Sequence, residues 1–162
     1  MHASAASGQW WMLAFLISVC FGAAGVGSWV SRSGQSRWYS MLRKPPGTPP
    51  DWVFGPVWTV LYLCMGIAAW MVWRQAGWSG ARLGLELWVL QLLLNVTWSW
   101  LFFGLRRPEL ALVDVVALWV LILLTVLAFQ PVSVAAAWLL VPYLLWVAYA
   151  GRLNFLLWRL NS

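Results

Sequence analysis

Four carboxylates, two thiols and one imidazole are the side chains with which this sequence could do acid, base, nucleophilic or metal chemistry. The imidazole is His2, at the end of the chain, so neither a histidine relay nor a His-rich metal site can be assembled. Cys20 and Cys64 lie far apart inside apolar stretches without the CxxC spacing of a redox or metal pair, which favours buried structural thiols. Among Asp51, Glu86, Glu109 and Asp114, only the last two are near neighbours. A separation of five does not stack two side chains on one helix face, so they do not form a catalytic carboxylate pair. No glycine-rich loop is suited to cradling phosphate.

Asp114 stands apart because it falls inside an apolar run, where a carboxylate is costly and marks a functional candidate. It also lies about 9 Å along a helix from Pro108. That distance permits the structural alternative, a pair with Arg106 or Arg107 near the membrane surface.

Aromatic residues with a few uncharged polar neighbours are the richer signal. Sixteen tryptophans exceed what two interfacial belts need. Gln91, Asn95, Trp98 and Phe102 recur at helical spacing, as do Pro142, Trp146, Tyr149, Ala150 and Leu153. Such stripes face protein. They serve either helix packing, with Gln91 and Asn95 hydrogen-bonding across a bundle, or an aromatic-walled pocket with polar anchors for a flat apolar ligand.

The elements that must carry these stripes are set by composition. Of 162 residues, 63% are hydrophobic and 9% charged, too few polar groups to cover a soluble globule. The sequence therefore predicts an all-α integral membrane bundle, one domain over residues 1–162. Its spans run over about 9–30, 52–73, 84–104, 109–129 and 134–158, with a lid loop over 31–51. The connector at 130–133 is short enough to make the last two spans an antiparallel hairpin.

Charge sets the expected orientation. Arg32, Arg37, Arg43, Lys44, Arg106, Arg107, Arg152 and Arg159 gather at one end, and only Arg74 and Arg82 at the other. In a bacterial membrane that excess puts the lid loop and C-terminus in the cytoplasm and the N-terminus outside. The net charge of +6 is thereby assigned to topology and lipid headgroups, not to nucleic acid. The first residues lack the basic start of a signal peptide, so the first span is expected to be retained.

The lid is unusual in composition. Pro45, Pro46, Pro49 and Pro50 restrict their own backbone and that of the residues before them, which predicts a stiff cover. Trp38, Tyr39 and Trp52 are expected on its underside, and Asp51 suits the positive end of the helix that follows. Arg37, Arg43 and Lys44 serve either as headgroup anchors or to attract carboxylates.

Four segments carry a resemblance: RWYSMLRKPPGTPPDWVFGPVWTVLYLCMG at 37–66, QLLLNVTW at 91–98 with FFG at 102–104, ALVD at 111–114, and VPYLLW at 141–146 with LNFLLWR at 153–159. In order and spacing they closely resemble the tryptophan-rich sensory protein and translocator protein family (TspO/MBR), which includes the peripheral benzodiazepine receptor. The match runs from about residue 37 to 160. It implies a five-helix bundle that binds porphyrins, haem-type tetrapyrroles and benzodiazepine-type ligands, with sterols in eukaryotic members, and that requires no cofactor.

Position by position, the resemblance places the ligand on Tyr39, Pro49, Phe54, Trp58 and Tyr62, on Gln91, Asn95 and Trp98, and on Trp146, Ala150 and Leu153. It implies a membrane receptor or regulator. It is also consistent with an enzyme that degrades porphyrin under light and oxygen through Trp58 and Trp146, or with a passive tetrapyrrole transporter; an ionisable relay for pumping is missing from the sequence. Two departures thin the aromatic wall: Gly47 replaces a lid tryptophan and Leu110 replaces an aromatic common near the fourth span. Phe155 stands where the sterol motif has tyrosine, which weakens sterol recognition.

The resemblance further implies a homodimer. Ala23 with Gly27, Ala24 with Ser28, and Gly80 with Gly84 have the spacing that lets helices approach closely in lipid. The first two are expected to pack span one against spans two and five, which leaves the Gly80–Gly84 face of span three for a partner copy.

Overall fold

The computed structural model describes the backbone of residues 3–34 and 38–162, and the side chains of residues 9–32 and 38–162. His2 and Arg37 lie outside the described residues. Five helices follow one another: α1 Ala3–Gly34, α2 Asp51–Gly80, α3 Arg82–Ser99, α4 Pro108–Phe129 and α5 Val134–Asn161. A π-helical turn, Trp100–Gly104, continues α3. Each helix is long and apolar enough to cross a membrane, and the described residues contain no strand. In lipid, a helix satisfies its own backbone hydrogen bonds, which is why this composition resolves into helices alone.

Neighbour contacts arrange the helices in a closed ring, α1–α2–α5–α4–α3. The α4–α5 hairpin expected from the short connector is present: Ser133 caps α5 by accepting from the Ala136 amide at 3.4 Å. Pro108 opens α4, where its missing N–H costs nothing.

Helix α1 spans Ala3–Gly34, beyond the expected 9–30 at both ends and into the expected lid loop, and two further boundaries differ in ways that local contacts explain. Helix α2 runs past residue 73 to Gly80, with a break at Gly77, whose φ of 65° is left-handed and favours glycine. Arg74 does not end the helix because its guanidinium lies 4.6 Å from the Trp70 ring centroid, holding the charge along the helix surface. At the other boundary, α3 loosens into its π turn, where the Leu105 amide reaches back five residues to the Trp100 carbonyl at 2.8 Å. The wider turn buries both Phe102 and Phe103.

The small residues do not fall where the sequence suggests. Helix α1 packs on α2 and α3, not on α5; a Cβ at Gly27 would sit 3.2 Å from the Ser99 Oγ. Gly84 is buried against α4, where an added Cβ would come within 2.9 Å of the Phe129 ring. The face assigned to a partner copy is at Gly84 an internal seam. Because Phe129 is fully buried and cannot swing away, Gly84→Leu should destabilise the folded bundle by about 1–3 kcal/mol or more. Gly22, whose Cβ would meet nothing within 4 Å, is the control. Thermal unfolding in mild detergent should separate the two, with Gly22→Leu unchanged.

Candidate functional site

At mid-bundle, four side chains from three helices form one hydrogen-bonded chain. The Tyr62 hydroxyl of α2 donates to Asn95 Oδ1 at 2.6 Å. Asn95 Nδ2 of α3 donates to the Tyr143 hydroxyl of α5 at 3.1 Å, and that hydroxyl donates to Gln91 Oε1 at 2.8 Å. All four residues are buried, so each bond satisfies a group that lipid could not. Gln91 is therefore a packing residue beneath the site, one helical turn deeper than Asn95. The packing and pocket accounts of the α3 stripe divide at this turn.

Above Tyr62 and Asn95 a cavity of about 710 Å³ opens toward the lid, within the roughly 300–1,000 Å³ of small-molecule sites. Of the eleven residues assigned to the site, nine line it: Tyr39, Phe54, Trp58, Tyr62, Asn95, Trp98, Trp146, Ala150 and Leu153. Gln91 and Pro49 do not. The aromatic walls brace one another. Trp58 lies 5.5 Å from Tyr62 and 6.1 Å from Tyr143, centroid to centroid. Phe54 meets Trp146 edge-on at 5.8 Å, and Trp98 stacks on Phe102 at 5.2 Å.

Trp98 is further fixed by Asn154 of α5, which accepts from the indole at 3.1 Å and donates to the Pro108 carbonyl at 2.7 Å. The buried indole N–H of Trp146 meets no acceptor among the described residues, which leaves one donor in the cavity wall uncommitted there. The α1 wall, with Phe21, Ser28 and Arg32, was missed by sequence reasoning. Its lining residues carry no amide and two aromatics, Phe21 and Trp29, among small residues, so it lacked the amide anchor that marked α3. Phe103 and Asn154 line the cavity through the π turn and the α5 register.

The lid is tied to α5. Asn161 brackets Arg43, accepting from its amide at 2.9 Å and donating to its carbonyl at 3.1 Å. The Tyr149 hydroxyl donates to the Gly47 carbonyl. Gly47 has φ 87°, a left-handed conformation that favours glycine over a bulky side chain. Of the three aromatics expected under the lid, only Tyr39 lines the cavity. Trp38 packs on Phe102 and Trp52 is 74% exposed. Leu110 is exposed and does not line the cavity.

Cations are redistributed as well. Lys44 lies 4.4 Å over the Tyr39 ring and 3.8 Å from Asp51, and neither it nor Arg43 lines the cavity; Arg32 does. Burial, and then the Asp51 charge, push the Tyr39 phenol up, keeping it protonated. Asp114 is buried, with Oδ2 unpartnered among the described residues, and lies outside the cavity lining. Its expected pairing with Arg106 or Arg107 is not formed, because Arg107 binds Glu109 instead. Cys20 and Cys64 are both free, Cys20 in the core.

Each lid bond is worth about 0.5–1.5 kcal/mol. Asn161→Ala should therefore speed hydrogen exchange at the Arg43 amide about tenfold, with exchange in α3 unchanged; an unaltered Arg43 amide would show that Asn161 does not hold the lid.

Comparison with known proteins agrees with this architecture. Residues 14–159 match the TspO/MBR family. The tryptophan-rich protein TspO of Chlorobaculum tepidum is 45% identical over 151 residues, covering 92% of this chain and 95% of its own length. The translocator protein of Bos taurus is 41% identical over 139 residues, covering 85% and 82%. The tryptophan-rich sensory protein of Cereibacter sphaeroides is 36% identical over 153 residues, covering 94% and 93%. With five membrane-spanning helices and a match across nearly its whole length, the chain belongs to the TspO/MBR family.

Proposed function

We propose that this multi-pass membrane protein is a receptor or regulator that binds a flat, carboxylate-bearing tetrapyrrole of the porphyrin type. The observation that carries the reading is the cavity itself. Trp58, Trp98 and Trp146 offer faces and edges to a planar aromatic body, Tyr62 and Asn95 supply a polar floor, and Arg32 stands at the lid end. The last can pair with a propionate. Relatives named as sensory and translocator proteins fit a receptor that passes on the presence of its ligand. Benzodiazepine-type ligands, flat and largely apolar, suit the same walls.

Light-dependent degradation of porphyrin is the alternative that the site favours next, because both Trp58 and Trp146 border the cavity. Passive transport is a third use of the same binding. The reading includes a cytoplasmic lid and C-terminus, from the basic residues gathered at that end. It also includes a homodimer in the bilayer, on a face other than the Gly84 seam.

Absorbance titration with protoporphyrin in detergent, in dark and light, tests the reading. Wild-type protein should shift the Soret band saturably. Trp146→Ala should weaken binding about tenfold, or ~1.4 kcal/mol, while the exposed Leu93→Ala leaves it unchanged. Equal affinity in both variants would return Trp146 to packing. Protein-dependent bleaching in light, lost in Trp58→Phe, would favour the enzyme over the receptor.

A further inference from the structure

The cavity is not closed on the side of the bilayer. Every exposed residue in its lining lies on α1 or α2, among them Phe21, Gly25, Ser28 and Trp29 on one side and Gly55 and Thr59 on the other. The lining residues from α3, its π turn and α5 are buried or half-buried. The gap therefore lies between two neighbouring helices of the ring.

The packing of α1 explains the gap. At the end away from the lid, α1 is fastened to α2. The Trp70 indole donates to the Gln9 carbonyl at 2.8 Å, Trp10 stacks on Trp70 at 5.6 Å, and Gly66 is so close to Ile17 that a Cβ would lie 2.8 Å from its Cγ1. At the lid end, α1 leans the other way. Gly27 touches Ser99, and Val30 approaches Gly104 at the π turn. A helix attached to α2 at one end and to α3 at the other must diverge from α2 as it nears the lid.

Gly25 and Gly55 flank the divergence. An added Cβ at either would meet nothing within 4 Å, so neither glycine is there for close helix contact. From Arg32 to Phe21, and equally from Asp51 to Tyr62, is eleven residues, about 16 Å along a helix. The slit thus reaches about half the ~30 Å hydrocarbon thickness, within the leaflet on the lid side. At that depth it faces acyl chains, not water.

The geometry points to a lateral portal: bilayer lipid acyl chains enter the slit between α1 and α2 when the cavity is free, and the ligand exchanges with the lid-side leaflet by this route under a lid that stays fastened. The second clause rests on the tetrapyrrole reading. The first does not, since it concerns lipid alone. The lid is tied to α5 at Arg43 and Gly47, and Lys44 meets Asp51, while among the described residues the slit has no side chain across it at Gly25 or Gly55. An apolar, membrane-partitioning ligand has its reservoir on that side.

Full-length protein in nanodiscs of phosphatidylcholine carrying a photoreactive diazirine acyl chain provides the test, with labelled residues mapped by mass spectrometry. Ligand-free protein should label at the inward Trp58 and Ser99 as well as at the outward Leu63. Gly25→Leu combined with Gly55→Leu should lower labelling of Trp58 and Ser99 at least fivefold and leave Leu63 unchanged. Gly22→Leu, outside the slit, should match wild type. Release of bound protoporphyrin into acceptor vesicles should slow at least tenfold in the filled variant and hold its rate in Asn161→Ala. Label confined to outward residues in wild type would overturn the portal, whether or not the double variant folds. Unchanged inner labelling or unchanged release in the folded double variant would overturn it too. Inner labelling of a wild-type protein that binds no protoporphyrin would support the lipid portal and reject the tetrapyrrole reading.

Discussion

The hydrogen-bonded chain Tyr62–Asn95–Tyr143–Gln91 is the constraint on which the rest of this bundle depends. In hydrocarbon, helices gain little from apolar contact with each other, because lipid tails are as apolar as leucine. Buried polar groups without partners are costly, so a chain that satisfies groups on α2, α3 and α5 sets the rotation of all three. With those rotations set, Trp58, Trp98 and Trp146 are turned toward one space. Two of the four, Tyr62 and Asn95, also give the cavity its floor, which joins stability to the site.

Above the floor, the molecule uses aromatic contact where hydrogen bonds are scarce. The cluster of Trp98, Phe102 and Phe103 is made possible by the π turn, which brings two consecutive phenylalanines inward where a regular helix would turn the second away. Tyr39 packs edge-on to both. The start of the lid is therefore seated on the end of α3, and its later part is tied to α5 through Asn161 and Tyr149. Each tie uses groups near the membrane surface, where polar atoms are tolerated.

Openness arises where these constraints are absent. Helix α1 contributes no member to the polar chain. Its position is decided by Trp70 and Ile17 at one end and by Ser99 and the π turn at the other, and the two ends pull toward different neighbours. A bundle fastened by α2, α3 and α5 can leave α1 partly apart from α2 without losing its core, which centres on residues such as Met65, Leu118 and Tyr143.

Much of this was legible in the sequence, because its signals are local or periodic. Five spans follow from apolar length and interrupting charge; the α4–α5 hairpin follows from a four-residue connector; the stripes on α3 and α5 follow from helical spacing of Asn95, Trp98, Trp146 and Ala150. Composition alone dictates a membrane protein, since so few charges cannot cover a soluble surface. Other features depend on which helix meets which, and no periodicity encodes that. A glycine pair reads the same in a partner interface, an internal seam or an open slit, yet Gly84 lies against Phe129, Gly27 against Ser99, and Gly25 against nothing. Gln91 and Asn95 share one stripe and differ only in depth, which the register of Tyr143 decides. Lys44 and Arg32 both carry a positive charge, and only the path of the lid takes one to Tyr39 and Asp51 and leaves the other beside the cavity. The sequence by itself determined the helices and their inward faces, through bilayer thickness and helical period; tertiary packing decided where those faces close and where they part, because that depends on contacts between residues far apart in the chain.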